Sequence, residues 1–486
     1  MSTSIVQSSR ITAHTAKASR RLARAAKMAG GIASYSALAL SSAQYYSVWS
    51  ATLGPGAVLL TIPKHVAGAL APFVGVAGAV GAACGLSALW VERGSAPKAA
   101  RRPSLGAPTV VLAGLAGAAM STIYTRQVLA SRGDFAAAFG ADWQAHIPSH
   151  LKGRMLPQRW TWHLSVAPGA HVERDVAFAI VPGTDRKLLA DLWSPPAGVT
   201  PSGLGFIYLH GGGYSAFDKG GPTELWFRHL ASQGHVVMDV AYRLIPETTV
   251  PGMQGDVKRA VAWLKRNASR YGVNPDRIVL GGGSGGSHLA LLAAYAPDHP
   301  LFTPQDVRGV DLSVRGVVGY YNAGDYRLES WPNITTSALQ RAVARLLTSV
   351  FGRMIGSEIA VDESGNWDGK LFFGGSPDAW PELYQQVSPI VHVAPDTPPT
   401  LQIVGEHDVY GGARSAAALH AKLQAAGVPA IELRIPRTDH AFDLVLPAVS
   451  PAAQTAMYHV DRFLALMASS VDWRAVSVPR AEILAR

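Results

Sequence analysis

The run Gly282-Gly283-Ser284-Gly285-Gly286 constrains the fold of this chain more than any other stretch. It follows an apolar run, 277–280, that reads as a strand, and precedes a helical pattern over 286–294. A serine between glycines at a strand-to-helix junction suits a tight turn with strained backbone and an exposed hydroxyl. The helix beyond such a turn directs its amino terminus at the turn, where negative charge is stabilised. Two other readings share these letters. Gly281, Gly283 and Gly286 match the G-x-G-x-x-G spacing of a dinucleotide loop, and a plain glycine-rich turn has the same composition.

The surrounding texture bears on the choice. From about residue 171, short β-rich runs alternate with helical patterns. Strands are predicted over 172–179, 187–193, 205–209, 235–242, 277–280, 316–319, 400–404 and 430–435. Helices are predicted over 223–233, 253–271, 286–294, 412–426 and 453–467. This alternation predicts an α/β fold with a mostly parallel central sheet flanked by helices. Residues 321–388 interrupt it, and their helical patch 337–354 reads as part of a lid. No internal repeat is present.

Three more motifs each follow a predicted strand. His210-Gly211-Gly212-Gly213-Tyr214 comes after 205–209. A glycine loop there leaves backbone N–H groups open to an acyl oxyanion, because side chains would block the approach of a carbonyl. His210 and Tyr214 flank it as candidate substrate-pocket residues. Gly405-Glu406-His407-Asp408 comes after 400–404; an acid at a strand end can orient a histidine, and Asp408 is favoured over Glu406. Asp439-His440-Ala441-Phe442 comes after the last strand, and His440 is the candidate base for Ser284. Asp439 and Asp443 read as surface or local hydrogen-bonding acids. A nicotinamide-binding fold leaves the glycine loop, Asp408 and His440 unexplained.

With 210–214, Tyr242-Arg243-Leu244-Ile245-Pro246-Glu247, Asp256 after Pro251, Ser284 and His440-Ala441-Phe442 in this order, residues 171–470 resemble the hormone-sensitive-lipase branch of the α/β-hydrolases. The resemblance implies a catalytic domain that cleaves carboxylic esters, with a helical lid and no cofactor or metal. Ser284, Asp408 and His440 would then be the triad. The backbones of Gly211, Gly212 and Gly285 would be the oxyanion donors. The pattern departs at Gly283 and Gly285, where the branch usually has Asp and often Ala. Relatives that lack the histidine bind ligands without catalysis, but His440 is retained here. Amides, thioesters or lactones remain alternative substrates on the same machinery.

The first 170 residues lie outside the resemblance, and charge tells what they are. The whole chain carries +10, and all of it sits before residue 105: eleven Lys or Arg against the single acid Glu92. A nucleic-acid partner would call for a basic face on the folded part, which is instead neutral. Residues 1–27 read as a basic arm, with an amphipathic helix or a targeting peptide as alternatives. Residues 28–63 carry no charge, so 1–65 holds the arm and a candidate first span. Residues 66–91 and 107–125 are uncharged runs of 26 and 19 residues around a basic loop. At about 1.5 Å per residue each can cross a hydrocarbon core about 30 Å thick. Residues 66–125 are therefore predicted to be a transmembrane helical hairpin with membrane lipid as its partner. The basic loop puts everything after it on the extracytoplasmic side. Residues 126–170 read as a linker and 471–486 as a tail. The lone Cys84 rules out an internal disulfide.

Overall fold

The computed structural model describes residues 2–47, 61–95, 106–165, 169–322, 324–326, 379–408, 410 and 412–473. It divides into two compact units, 1–46 with 59–130, and 47–58 with 131–486.

The first unit is helical: α1 (Ser2–Gln44), α2 (Thr61–Ala69), α3 (Ala71–Ser95) and α4 (Gly106–Ala130). The predicted hairpin is α3 with α4. The expected arm is different: residues 2–27 begin α1. The stretch is rich in Ala and Arg and lacks Gly or Pro before Gly30, so nothing in it stops a helix from propagating. The helices meet through small residues. A Cβ on Gly78 would lie 2.8 Å from the Gly114 carbonyl oxygen, and one on Gly117 would lie 2.7 Å from the Ala37 carbonyl carbon. Only glycine allows backbones this close. Two helices here, α3 and α4, are long and apolar enough to cross a membrane.

The second unit is built on one eight-stranded sheet. Its strands are β1 (His171–Ile180), β2 (Lys187–Ser194), β3 (Gly205–Leu209), β4 (Val236–Ala241), β5 (Ile278–Gly283), β6 (Gly316–Tyr320), β7 (Thr400–Gly405) and β8 (Ala430–Ile435). The order is β1-β2-β4-β3-β5-β6-β7-β8. β1 and β2 run antiparallel at one edge, and every pairing from β4 through β8 is parallel. Central strands such as Gly-Phe-Ile-Tyr-Leu are buried along their whole length, because helices cover both faces of a parallel sheet. Those described are α5 (Phe135–Phe139), α6 (Ser149–Lys152), α7 (Glu224–Ser232), α8 (Val250–Arg266), α9 (Gly285–Tyr295), α10 (Pro381–Gln386), α11 (Gly412–Ala425) and α12 (Pro451–Met467). The sheet order is that of the α/β-hydrolase fold.

The segment read as a linker is packed structure from residue 131 onward. Phe135 stacks on Trp143 at 4.7 Å, and Phe139 meets Trp473 edge-on at 4.9 Å, so the lead-in and the chain's last described residue close over α12 together. The Leu156 N–H donates to buried Asp461 on α12 at 2.8 Å, and the Trp160 indole N–H to the Val449 carbonyl at 2.9 Å. Scattered aromatics in a polar segment read as linker in sequence because their partners lie some three hundred residues away. The predicted lid helix 337–354 lies outside the described residues.

Candidate active site

Parallel strands put their carboxyl ends on one rim, so residues that follow β3, β5, β6, β7 and β8 converge there whatever their distance in sequence. Ser284 follows β5 with φ 55° and ψ −123°, a backbone conformation that is costly for any residue with a side chain. Its N–H is held by the Tyr320 carbonyl at 3.0 Å. From residue 278 to 295, Ser284 is the one position that is not buried. The turn therefore spends strain to raise one hydroxyl out of a closed strand-helix junction. Gly286 makes the junction possible: its missing Cβ would fall 2.6 Å from the Leu209 carbonyl carbon, and closer still to the carbonyl oxygens of Leu209 and His210.

Asp408 and His440 come from the next rim positions. The two turns are joined directly, by the His407 N–H to the Thr438 carbonyl at 2.9 Å and the Glu406 N–H to the Ile435 carbonyl at 3.0 Å. Asp408 is sealed from solvent, accepts the Tyr410 N–H at 2.9 Å and takes the Nδ1 of His440 at 3.0–3.1 Å. An acceptor at Nδ1 leaves Nε2 as the ring atom turned to the other side. The rival acid Glu406 accepts the exposed Arg437 N–H instead. Asp439 is buried rather than on the surface, and caps the backbone N–H of His440 at 2.9 Å.

The glycine loop lies against the serine turn. A Cβ on Gly211 would lie 3.0 Å from the Gly283 carbonyl oxygen and 3.4 Å from the Cβ of Ser284. Gly212 has φ 112° and Gly213 φ 57°, values that L side chains rarely adopt. The second motif, 242–247, braces this loop. The Tyr242 hydroxyl donates to the His210 carbonyl at 2.8 Å, its ring stacks on the His210 ring at 4.5 Å, and the Ile245 N–H donates to the Tyr214 carbonyl at 2.9 Å. Arg243 is fixed in turn by Asp256, which receives its Nε and Nη2 at 2.8 Å each.

His210 and Tyr214, the candidate pocket residues, are both buried, and the Nε2 of His210 has no hydrogen-bond partner among the described residues. The His210 Nδ1 is 2.7 Å from the Gly211 carbonyl, and burial lowers the pKa of its ring. The Tyr214 hydroxyl is bonded to the Nδ1 of His288 at 2.8 Å and to the hydroxyl of Tyr326, inside the protein. His288 sits on α9, passes the chain on to the Val387 carbonyl at 2.7 Å, and burial pushes its pKa down to about 4, so it is a neutral link.

The sequence reading missed Tyr321. It follows β6 on the same rim, and its ring lies 4.5 Å from that of His440. Its hydroxyl lies 2.7 Å from the place a Cβ would occupy on Gly283. One ring thus spans from the serine turn to the histidine. Tyr321 also interacts with Asp443, whose Oδ1 is closed to solvent and unpartnered, and whose pKa burial pushes up to about 6. Of the two readings given for Asp443, surface or local hydrogen-bonding acid, the second fits its partly buried place beside the rim. Tyr410 flanks the other side of His440, 4.7 Å away and nearly perpendicular. The signal available in sequence was position alone: Tyr321 immediately follows a predicted parallel strand. The departures at 283 and 285 now have a common cause. Gly283 makes room for the Tyr321 ring, and Gly285 for that of Tyr214, whose Cε1 would stand 3.0 Å from a Cβ there. Among the described residues no group of three His, Cys, Asp or Glu is placed to hold a metal ion.

The chain is similar to several known proteins. Residues 190–423 match the BD-FAE family model. The probable carboxylic ester hydrolase LipM of Mycobacterium tuberculosis (strain ATCC 25618 / H37Rv) is 30% identical over 60% of this chain and 62% of its own. Esterase LipC of the same organism is 28% identical over 54% and 59%. The chain thus spans about three fifths of the length of these relatives. Among solved structures, the esterase of Pyrobaculum calidifontis aligns with a TM-score of 0.45 at 25% identity, over 62% of this chain and 87% of that one. Apo esterase 2 of Thermogutta terrifontis aligns with a TM-score of 0.45 at 21% identity, over 61% and 94%. The second unit has the sheet order of an α/β-hydrolase fold, and residues 190–423 of the chain resemble the BD-FAE family.

Proposed function

We propose that this chain hydrolyses carboxylic esters by two-step acyl transfer. Ser284 Oγ attacks the ester carbonyl while Nε2 of His440 takes its proton. Asp408 holds the ring in the tautomer that can do so, and stabilises the imidazolium that forms. The backbone N–H groups of Gly211, Gly212 and Gly285 donate to the developing oxyanion. His440 returns its proton to the leaving alcohol. A water then attacks the acyl-enzyme, with His440 again as base, and Ser284 is regenerated with release of the acid. No cofactor enters either step. The names of LipM and LipC, an ester hydrolase and an esterase, support this class of reaction.

The observation that carries the reading is the strained Ser284 set against the glycine loop, with the Asp408–His440 pair on the same rim. The substrate is a small ester with apolar or lipid-like groups, in keeping with helices suited to a membrane in the same chain. The concentration of positive charge before residue 105 supports an extracytoplasmic side for the catalytic unit. Ser284→Ala is expected to abolish hydrolysis of a short p-nitrophenyl ester, and to abolish labelling by a fluorophosphonate probe, while the thermal midpoint is kept. Full activity in that variant refutes the assignment. A wild-type chain that resists the probe is a ligand-binding relative instead.

A further inference from the structure

We infer that α1 is a third membrane span, so that the basic amino terminus and the loop between α3 and α4 share one side of the bilayer. By average hydropathy α1 does not qualify, since Ser, Gln and Tyr dilute it. What a bilayer meets, however, is the outer face of a helix and not its mean. On α1, Ser34, Ala37, Ser41 and Gln44 are turned into the bundle and buried, while Met28 is 71% and Ile32 67% exposed. α3 and α4 follow the same rule: glycines inside, and residues such as Val80, Trp90, Leu112 and Leu115 outside. A bundle folded in water has the opposite arrangement. A protein partner would cover one face. Large apolar residues on the outer faces of all three helices call for hydrocarbon around the whole bundle.

Charge marks the two surfaces of that hydrocarbon. At one end Lys27 on α1 pairs with Glu92 on α3 at 3.4 Å, beside the start of α4, where a Cβ on Gly106 would meet the Lys27 side chain at 2.9 Å. At the other end the buried Lys64 donates to the Tyr46 carbonyl at 2.9 Å. The Gln44 amide donates to the Lys64 carbonyl there, and both Gln44 and Tyr124 of α4 face Gly68. Between these levels α1, α3 and α4 carry no charged residue. From Lys27 to Gln44 the rise is about 25 Å at about 1.5 Å per residue, which a hydrocarbon core of about 30 Å accommodates with flanking side chains reaching outward. Of the hydroxyls inside, that of Ser41 donates to the Gly117 carbonyl at 2.9 Å and lies 2.7 Å from that of Ser121, the internal pairing that a medium without water favours, while the Ser34 Oγ has no partner among the described residues.

The count of spans decides where the amino terminus lies, and it does so independently of the proposed catalysis. In full-length protein with Cys84→Ser, single cysteines are introduced by Ser19→Cys, Ser104→Cys or Ser165→Cys. Spheroplasts are treated with a membrane-impermeant maleimide before and after permeabilisation. We expect positions 19 and 104 to be protected together and labelled only after permeabilisation, with 165 labelled throughout. The mirror image, 19 and 104 open with 165 protected, also supports three spans. Position 19 labelled with 165 while 104 is protected means two spans and overturns the inference. Equal labelling of all three, with release of the protein by alkaline carbonate, overturns it as well.

Discussion

Replacing Gly286 with Ala tests whether the distance between the serine turn and the glycine loop governs the chemistry. The added methyl would lie 2.6 Å from the Leu209 carbonyl carbon. Ordinary carbon–carbon contact needs about 3.5 Å, so roughly 1 Å of separation has to be found. Both sides of the contact are backbone, β3 on one and the first turn of α9 on the other, so no side chain can swing away. Relief comes from α9 and β3 moving apart, which pulls Ser284 from Gly211 and Gly212. A misplacement of about 1 Å at a reacting centre can cost about a hundredfold in rate, and overpacking of this kind costs about 1–3 kcal/mol in stability. On p-nitrophenyl butyrate, kcat of the Gly286→Ala variant is expected to fall about a hundredfold, with a lowered thermal midpoint. Gly153→Ala, where a Cβ meets nothing within 4 Å, is the matched control. If the variant melts earlier but turns over at the wild-type rate, the spacing does not set the reaction. If neither quantity changes, the packing argument is wrong from its first step.

Asp408→Asn is expected to lower kcat by about four orders of magnitude, as loss of the orienting acid does in serine proteases generally, because His440 then loses its tautomer. Glu406→Gln, whose partner is an exposed backbone N–H, should leave kcat within about twofold; equal losses in the two variants would mean the acid has been misassigned. Asp239 on β4 provides a test of stability against pH. Its carboxyl accepts the Gly220 N–H at 2.7 Å, its other oxygen is unpartnered, and burial pushes its pKa from 3.8 up to about 7. The folded state therefore holds a proton that the unfolded state has lost, and the wild type loses stability as pH rises from about 4 to about 7. Asp239→Asn removes this dependence, so its advantage over wild type should grow by on the order of 3 kcal/mol between pH 5 and pH 8. Denaturation midpoints at the two pH values measure it, and a gap that narrows contradicts the sign.

The sheet was legible in the sequence because its strands are short, apolar and punctuated by glycine, and each predicted strand matches an observed one within a few residues. Ser284, Asp408 and His440 were legible because each sits in a motif directly after a strand. Residues that act through contact were not. Tyr321 belongs to no motif, and its importance depends on a glycine 38 positions earlier and a histidine more than a hundred later. His210 and Tyr214 were assigned to the pocket from their places beside the glycine loop. Which way a side chain turns depends on partners such as Tyr242 and His288 that spacing cannot reveal. The lead-in 131–165 failed for the same reason, since its hydrogen bonds end on Asp461 and Gln454. The amino-terminal helix was obscured differently: Ser34, Ser41 and Gln44 lower its apolar character in sequence but are buried inside the bundle, while Ser36 and Ser42 remain exposed.

Glycine at 283 has a further consequence. Tyr321 now occupies the volume that an aspartate in that position would need. The two sites are therefore bound to change together. Placing an acid there alone would drive a carboxylate into an aromatic ring, and trimming the ring alone would leave an empty space next to His440. A chain that drifts from one solution to the other has to pass through a poorly packed intermediate, so each arrangement, once reached, tends to persist.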